Sequence, residues 1–215
     1  MTSVIVPVWL FEPWVTDMTE RCLVLLREHS PDVEIVLVAR GEPSARLSEL
    51  ADIVLRPAEP GFAHAVNVGV AASSGDVIVM VSSDTHVNAG WLDPILADLA
   101  TRDGIATPYH EDCQPNGHTG FCGVLFGVRR ETWDRLGGYD DVNFPIRKAD
   151  QDFAIRAYKQ GVIPRFLAGP PAFVHVASAH SLARHPSSAV RHDRRMMRTI
   201  HGVGGYEGWE RQATA

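Results

Sequence analysis

The chain has 215 residues, a formal net charge of −6, and 45% hydrophobic against 21% charged residues. That is ample for one large core, too apolar for a disordered chain, and too acidic for a protein that coats nucleic acid along a broad face. No apolar run reaches the roughly 18 residues a bilayer span needs. The first basic residue is Arg21 and three cysteines make no disulfide framework, so a cytoplasmic protein without a leader is expected.

Short apolar runs alternate with amphipathic stretches, the pattern of an α/β fold with a mostly parallel central sheet flanked by helices. Ser3–Val8 reads as a buried first strand. A helix follows, with Asp17 and Glu20 at capping-box spacing and Met18, Cys22, Leu25 and Leu26 on one face. Val33–Ala39 and Asp52–Leu55 read as the second and third strands. Gly61–Ala72 is a small-residue helix that allows close backbone approach. Val77–Val81 is a fourth strand that stops at Ser82-Ser83-Asp84, and Trp91 to Leu99 carry helical spacing. Further on, Ile105–Thr107 and Gly123–Val128 are strand-like, with a polar loop from Tyr109 to Gly120 between them. Arg130–Leu136 is a short helix ended by Gly137-Gly138. Asp150–Gln160 is a helix closed by Gly161, and Ile163–Ala168 a strand. The expected division is one main domain over residues 1–181 and a basic, partly helical tail over 182–215. In that tail Arg184, Arg191, Arg194, Arg195 and Arg198 face a single acid, Asp193.

Three features carry chemistry. Asp84 follows a buried strand, and ligands of open α/β sheets bind beyond the carboxyl ends of the strands. A carboxylate there either caps a turn or binds a divalent cation that holds a diphosphate. Asp150 and Asp152 open a helix, where acids complement the helix dipole or, beside a cation, take a proton from a hydroxyl. His175 follows a strand, with His180 close behind; each is either a satisfied core group or a ligand. His110, Cys113, His118 and Cys122 are all competent zinc ligands, but His-x2-Cys-x4-His-x3-Cys matches no familiar zinc module.

The order of these features is more specific than any one of them. The run Gly61-Phe-Ala-His-Ala-Val-Asn67-Val-Gly69 is followed by Gly75-Asp-Val-Ile-Val-Met-Val-Ser-Ser-Asp84 and by Gly90-Trp-Leu92. Then come Gly123-Val-Leu-Phe-Gly-Val-Arg-Arg130, Gly137-Gly-Tyr-Asp140 and Ala149-Asp-Gln-Asp-Phe-Ala-Ile-Arg156. From Val4 to Ser181 this series resembles a family 2 glycosyltransferase of the GT-A fold.

The resemblance implies an inverting transferase that moves a sugar from a nucleotide-diphosphate donor to an acceptor hydroxyl, aided by Mn2+ or Mg2+. By position it assigns Asp150 as catalytic base and Asp84 and His175 as metal ligands, with His180 as the alternative imidazole. It puts Pro7, Val8, Trp9, Arg40, Asn67, Ser82 and Ser83 at the nucleotide-sugar site, and Gly123 and Asp152 on the acceptor side. Departures from the family pattern are plain: Ser82 stands where the first acid of Asp-x-Asp is usual, and Ala149 replaces the glutamate of Glu-Asp. Arg40 lies where an aspartate often meets uracil, which leaves a thymidine or guanosine diphosphate sugar open. The acceptor is a glycan, a small molecule or DNA, the last through a hydroxylated base guided by the arginine tail. A glycosyltransferase-like binding module without catalysis is the other alternative. A dinucleotide oxidoreductase is set aside, because Trp9-Leu-Phe-Glu12 occupies the place of its glycine-rich turn.

Overall fold

The computed structural model describes residues 1–108, 121, 123–176, 187–204 and 209. The His110, Cys113, His118 and Cys122 group, His180 and Arg184 lie outside the described residues.

Seven strands form the central sheet, in the order β3-β2-β1-β4-β7-β6-β8. These are β1 (Thr2–Trp9), β2 (Glu34–Arg40), β3 (Ile53–Leu55), β4 (Val77–Val81), β6 (Gly104–Pro108), β7 (Leu125–Arg129) and β8 (Ile163–Leu167). All pairings are parallel except those of β7, which runs antiparallel to both β4 and β6. Two strands stand apart as an antiparallel ribbon, β5 (Thr85–Val87) and β9 (Phe173–His175).

The strands alternate faces as the pleat requires, so each feeds two cores. Val4, Val6, Ile35, Leu37, Val79 and Val81 pack on one side, against α1 (Pro13–His29), α2 (Ala45–Leu50) and α4 (Asp93–Thr101). Ile5, Val36, Val38, Ile78 and Met80 point to the other side. There they meet α3 (Phe62–Ala72), α5 (Arg130–Leu136), α6 (Ala149–Lys159) and α7 (Ser187–His201). With both faces covered, near-continuous apolar strands are what the sheet needs.

Two local readings change. The first helix starts at Pro13, four residues before the expected capping box, because proline sets a helical φ and lacks the N–H that a first turn leaves orphaned. Glu20 is therefore mid-helix, where its Oε1 accepts from Ser44 Oγ at 2.6 Å. The second change is the ribbon β5–β9 and the short α2, neither of which has the length to show a period.

Gly69 is where α3 touches the sheet. A Cβ there would stand 2.6 Å from Ile5 Cγ2 and 2.8 Å from Val38 Cγ2, both fixed in the core. Gly69→Ala is expected to cost about 1–3 kcal/mol by overpacking, more than the ~1 kcal/mol alanine gains in helix propensity. Urea denaturation should show a lower midpoint at an unchanged slope.

Candidate active site

The site lies at the carboxyl ends of β1, β2 and β4, the edge where parallel α/β sheets leave a crevice. After Val81 the chain turns tightly: Thr85 N–H donates to Ser82 O at 3.0 Å, and Ser82 N–H is tied to Val124 O at 2.8 Å. This turn holds Asp84 at 1% exposure. Its Oδ1 accepts from Ser82 Oγ at 2.5 Å.

The ribbon supplies the second group. Thr85 pairs with His175, and Val176 N–H donates to Asp84 O at 3.0 Å. That register sets His175 Nε2 3.1 Å from Asp84 Oδ2. Residues 91 apart in the chain thus meet through two three-residue strands.

Asp150 lines the same cavity from the first turn of α6. The turn is entered through Lys148, which has φ 68° and is the one non-glycine residue with positive φ among the described residues. Lys148 Nζ donates to Gln151 Oε1 at 2.9 Å, and Asp152 N–H to Lys148 O at 2.8 Å. Burial raises the Asp150 carboxyl above its ordinary value. The Gln151 and Asp150 backbone N–H groups and the charges of Lys148 and Arg147 pull against that rise without cancelling it. Gly123 borders this carboxylate so closely that any Cβ there would overlap it.

These groups share one cavity of about 390 Å³, within the ordinary range of small-molecule sites. Pro7, Val8, Trp9, Arg40, Ser82, Asp84, Gly123, Asp150 and His175 all line it. Trp9 and Arg40 form a platform at one end, with the guanidinium carbon 4.4 Å from the ring centroid. Among the lining residues sequence reasoning missed are Phe62, Ala65, Arg147, Lys148 and Gln151. Only their neighbourhood to Asn67 and Asp150 was a signal.

Three expected site residues are placed elsewhere. Asp152 does not face the cavity: it is 1% exposed, pairs with Arg156 Nε at 2.8 Å and meets His201 Nε2 at 2.8 Å. Asn67 braces a loop instead, donating to Tyr139 O at 2.9 Å and accepting from Tyr139 N–H at 3.0 Å. Ser83 is buried away from the lining. Asp152 and Asn67 each lie two residues along a helix from a lining residue, so the helical repeat turns them to another face, whereas Ser83 is carried inward by the turn after Val81. The arginines of α7 do not line the cavity either; Arg191, Arg194, Arg195 and Arg198 are exposed.

The donor set can be tested against a divalent cation. Among the described residues no group of three or more His, Cys, Asp and Glu side chains converges. Asp84 and His175 offer one carboxylate and one imidazole in direct contact on the cavity wall, and beside Asp84 the hydroxyl of Thr85 is buried without a hydrogen-bond partner. Such a set fits an ion completed by substrate phosphate oxygens and water rather than an all-protein cage. Mixed oxygen and imidazole ligation suits Mn2+ somewhat better than Mg2+. Cys22, beneath the turn, is no competitor: burial first, and then the Asp84 charge, push its thiol up to about 12.

Residues 3–120 match the sequence profile described as glycosyl transferase family 2. The chain belongs to that family. The match carries the Asp84 turn and stops before Asp150 and His175. Among its curated relatives, this family 2 chain is 33% identical over 99 residues to the uncharacterized glycosyltransferase EpsJ of Bacillus subtilis, covering 41% of this chain and 27% of that protein. It is 26% identical over 108 residues to a protein of Mycobacterium tuberculosis described as “putative glycosyltransferases”, covering 45% and 31%. The chain thus spans less than a third of the length of those relatives.

Solved structures agree on the fold. The mannosyltransferase PcManGT of Pyrobaculum calidifontis, in complex with GDP-Man and Mn2+, superposes with a TM-score of 0.63 at 21% identity, over 79% of this chain and 54% of that one. Glucosyl-3-phosphoglycerate synthase of Mycobacterium tuberculosis, in complex with Mn2+ and UDP, gives 0.64 at 14% identity, over 94% and 79%. The family 2 chain therefore has the GT-A fold. No helix among its described residues is long and apolar enough to cross a membrane.

Proposed function

We propose that the protein is an inverting, metal-dependent glycosyltransferase that moves a sugar from a nucleotide-diphosphate donor to an acceptor hydroxyl. The observation that carries this reading is that Asp84, His175 and Asp150 line one cavity, with the first two 3.1 Å apart. Asp84 and His175 hold the cation, which when bound neutralises charge on the diphosphate leaving group. Ser82 orients the Asp84 carboxylate through its 2.5 Å hydrogen bond. Arg147 and Lys148 line the same cavity and add positive charge beside the phosphates. Asp150 takes the proton of the acceptor hydroxyl as that oxygen attacks the face of the sugar opposite the leaving group, and the anomeric centre inverts. A carboxyl raised by burial is a stronger base than an ordinary carboxylate, which suits this task.

The Trp9–Arg40 platform supports a donor base with two adjacent acceptors. A guanidinium is a planar fork of donors, and guanine offers O6 and N7 side by side, whereas uracil and thymine offer isolated carbonyls. The proposed donor is accordingly a guanosine diphosphate sugar. Its test is a thermal-shift series with GDP, UDP and dTDP, each with and without Mn2+. Ligand at about 100 times its Kd stabilises by about 2.7 kcal/mol, so a bound nucleotide is visible. A shift with GDP that needs Mn2+ is expected; a flat response to every nucleotide would contradict the reading, and a larger shift with UDP would contradict the base assignment.

A further inference from the structure

The helix α7, none of whose described residues lines the cavity, is fastened to the segment on either side of Asp150. Asp193 is fully buried, and its Oδ2 accepts from Arg147 N–H at 2.6 Å. Eight residues on, His201 Nε2 meets Asp152 Oδ1 at 2.8 Å, each side chain 2% exposed. Between the two anchors, Met197 is fully buried in the same core as Phe153 of α6. One anchor therefore grips the chain just before Lys148 and the other just after Asp150.

What lies between the anchors is strained. A lysine at φ 68° persists only where its surroundings over-determine it. Internal bonds from Lys148 to Gln151 and Asp152 contribute, but they move with the turn and cannot fix it against the sheet. Asp193 and His201 can, because both reach it from a separate helix. Asp152 is also held by Arg156, whose Nη2 donates to Gly138 O at 2.7 Å, so the second anchor joins a network rather than a lone contact.

We propose that α7 is a positioning element for Asp150: Asp193 and His201 clamp residues 146–152 and thereby set where the carboxylate enters the cavity. The catalytic half of this statement rests on the function proposed above; the clamp itself does not. Neither residue touches the cavity, so both act through the turn.

The test uses the full chain with Asp193→Ala, Asp193→Asn, His201→Ala and His201→Gln. Asparagine and glutamine each keep a hydrogen-bonding group for the partner, Arg147 N–H and Asp152 respectively. Amide exchange is followed without ligand, and kcat and KM are measured for Mn2+-dependent hydrolysis of GDP-mannose and UDP-glucose. In both alanine variants, exchange over 146–152 should quicken about tenfold or more, the scale of one lost buried hydrogen bond. Their kcat should fall about 10- to 100-fold with donor KM within about twofold, since misplacing a catalytic group costs rate rather than donor binding. Most of the loss should return in Asp193→Asn and His201→Gln. Unchanged exchange over 146–152 in the alanine variants, or exchange quickened evenly along the whole chain, would overturn the clamp. So would a kcat loss the conservative variants fail to recover. If the unmodified chain hydrolyses neither donor, the proposed function fails instead, and exchange still decides whether α7 holds the turn.

Discussion

Asp150→Asn is expected to lower sugar transfer about 100- to 10,000-fold, the usual contribution of a positioned general base. Asparagine keeps the shape of the side chain beside Gly123 and the backbone contacts of the α6 first turn, but its amide takes no proton. Mn2+-dependent nucleotide binding, measured by calorimetry, should stay within about twofold, because Asp84 and His175 are untouched. The pH dependence gives a second check. Burial raises the Asp150 carboxyl, so the acidic limb of kcat should fall above about pH 4, the ordinary carboxylate value. Activity is present above that pKa and is lost as pH drops through it. The stability effect has the opposite sign. A carboxyl raised in the folded state favours folding in its neutral form, and that contribution is lost as pH rises through the folded pKa. Asp150→Asn lacks this titration and should melt no lower than the unmodified chain at neutral pH. Near-normal transfer by the variant would remove Asp150 from the mechanism.

Asp84→Asn is the second large effect, and it falls on the other half of the reaction. The Asp84 carboxylate is almost wholly buried, with Ser82 on one oxygen and His175 on the other. A neutral amide keeps the hydrogen bond to Ser82 yet forfeits the charge that a divalent cation requires. Loss of partners one step removed from a metal typically costs about 10- to 100-fold in affinity, and loss of a ligand at least that. Calorimetry of nucleotide diphosphate with Mn2+ should therefore show at least ~10-fold weaker binding, while binding without Mn2+ changes little. Equal weakening with and without Mn2+ would mean that Asp84 supports the fold of the turn rather than an ion.

The sheet was legible because buried parallel strands are continuous apolar runs; β1, β2 and β4 need only their composition to be seen. The Asp84 turn was legible because such a run ends abruptly in small polar residues. His175 was placed beside Asp84 by the family resemblance, not by periodicity. Its meeting with Asp84 depends on a ribbon of two three-residue strands, too short for alternation to register. Asp152 was misassigned for a geometric reason. Residues two apart on a helix differ by about 200° around its axis, so Asp150 and Asp152 cannot serve one cavity. The same turn separates Ala65, on the cavity wall, from Asn67, which binds the Tyr139 backbone. The arginines of α7 drew attention by their charge, while the buried Asp193 among them makes the contact with the catalytic turn.

The account stands or falls on whether one cation sits at the junction of residues 84 and 175, facing residue 150. Anomalous scattering at the manganese edge, from crystals grown with Mn2+ and GDP, locates the ion without reference to activity. A single strong peak within ligand distance of Asp84 Oδ2 and His175 Nε2, with the diphosphate on its cavity side, is the expected result. Ordered nucleotide with the manganese peak remote from both side chains would contradict it.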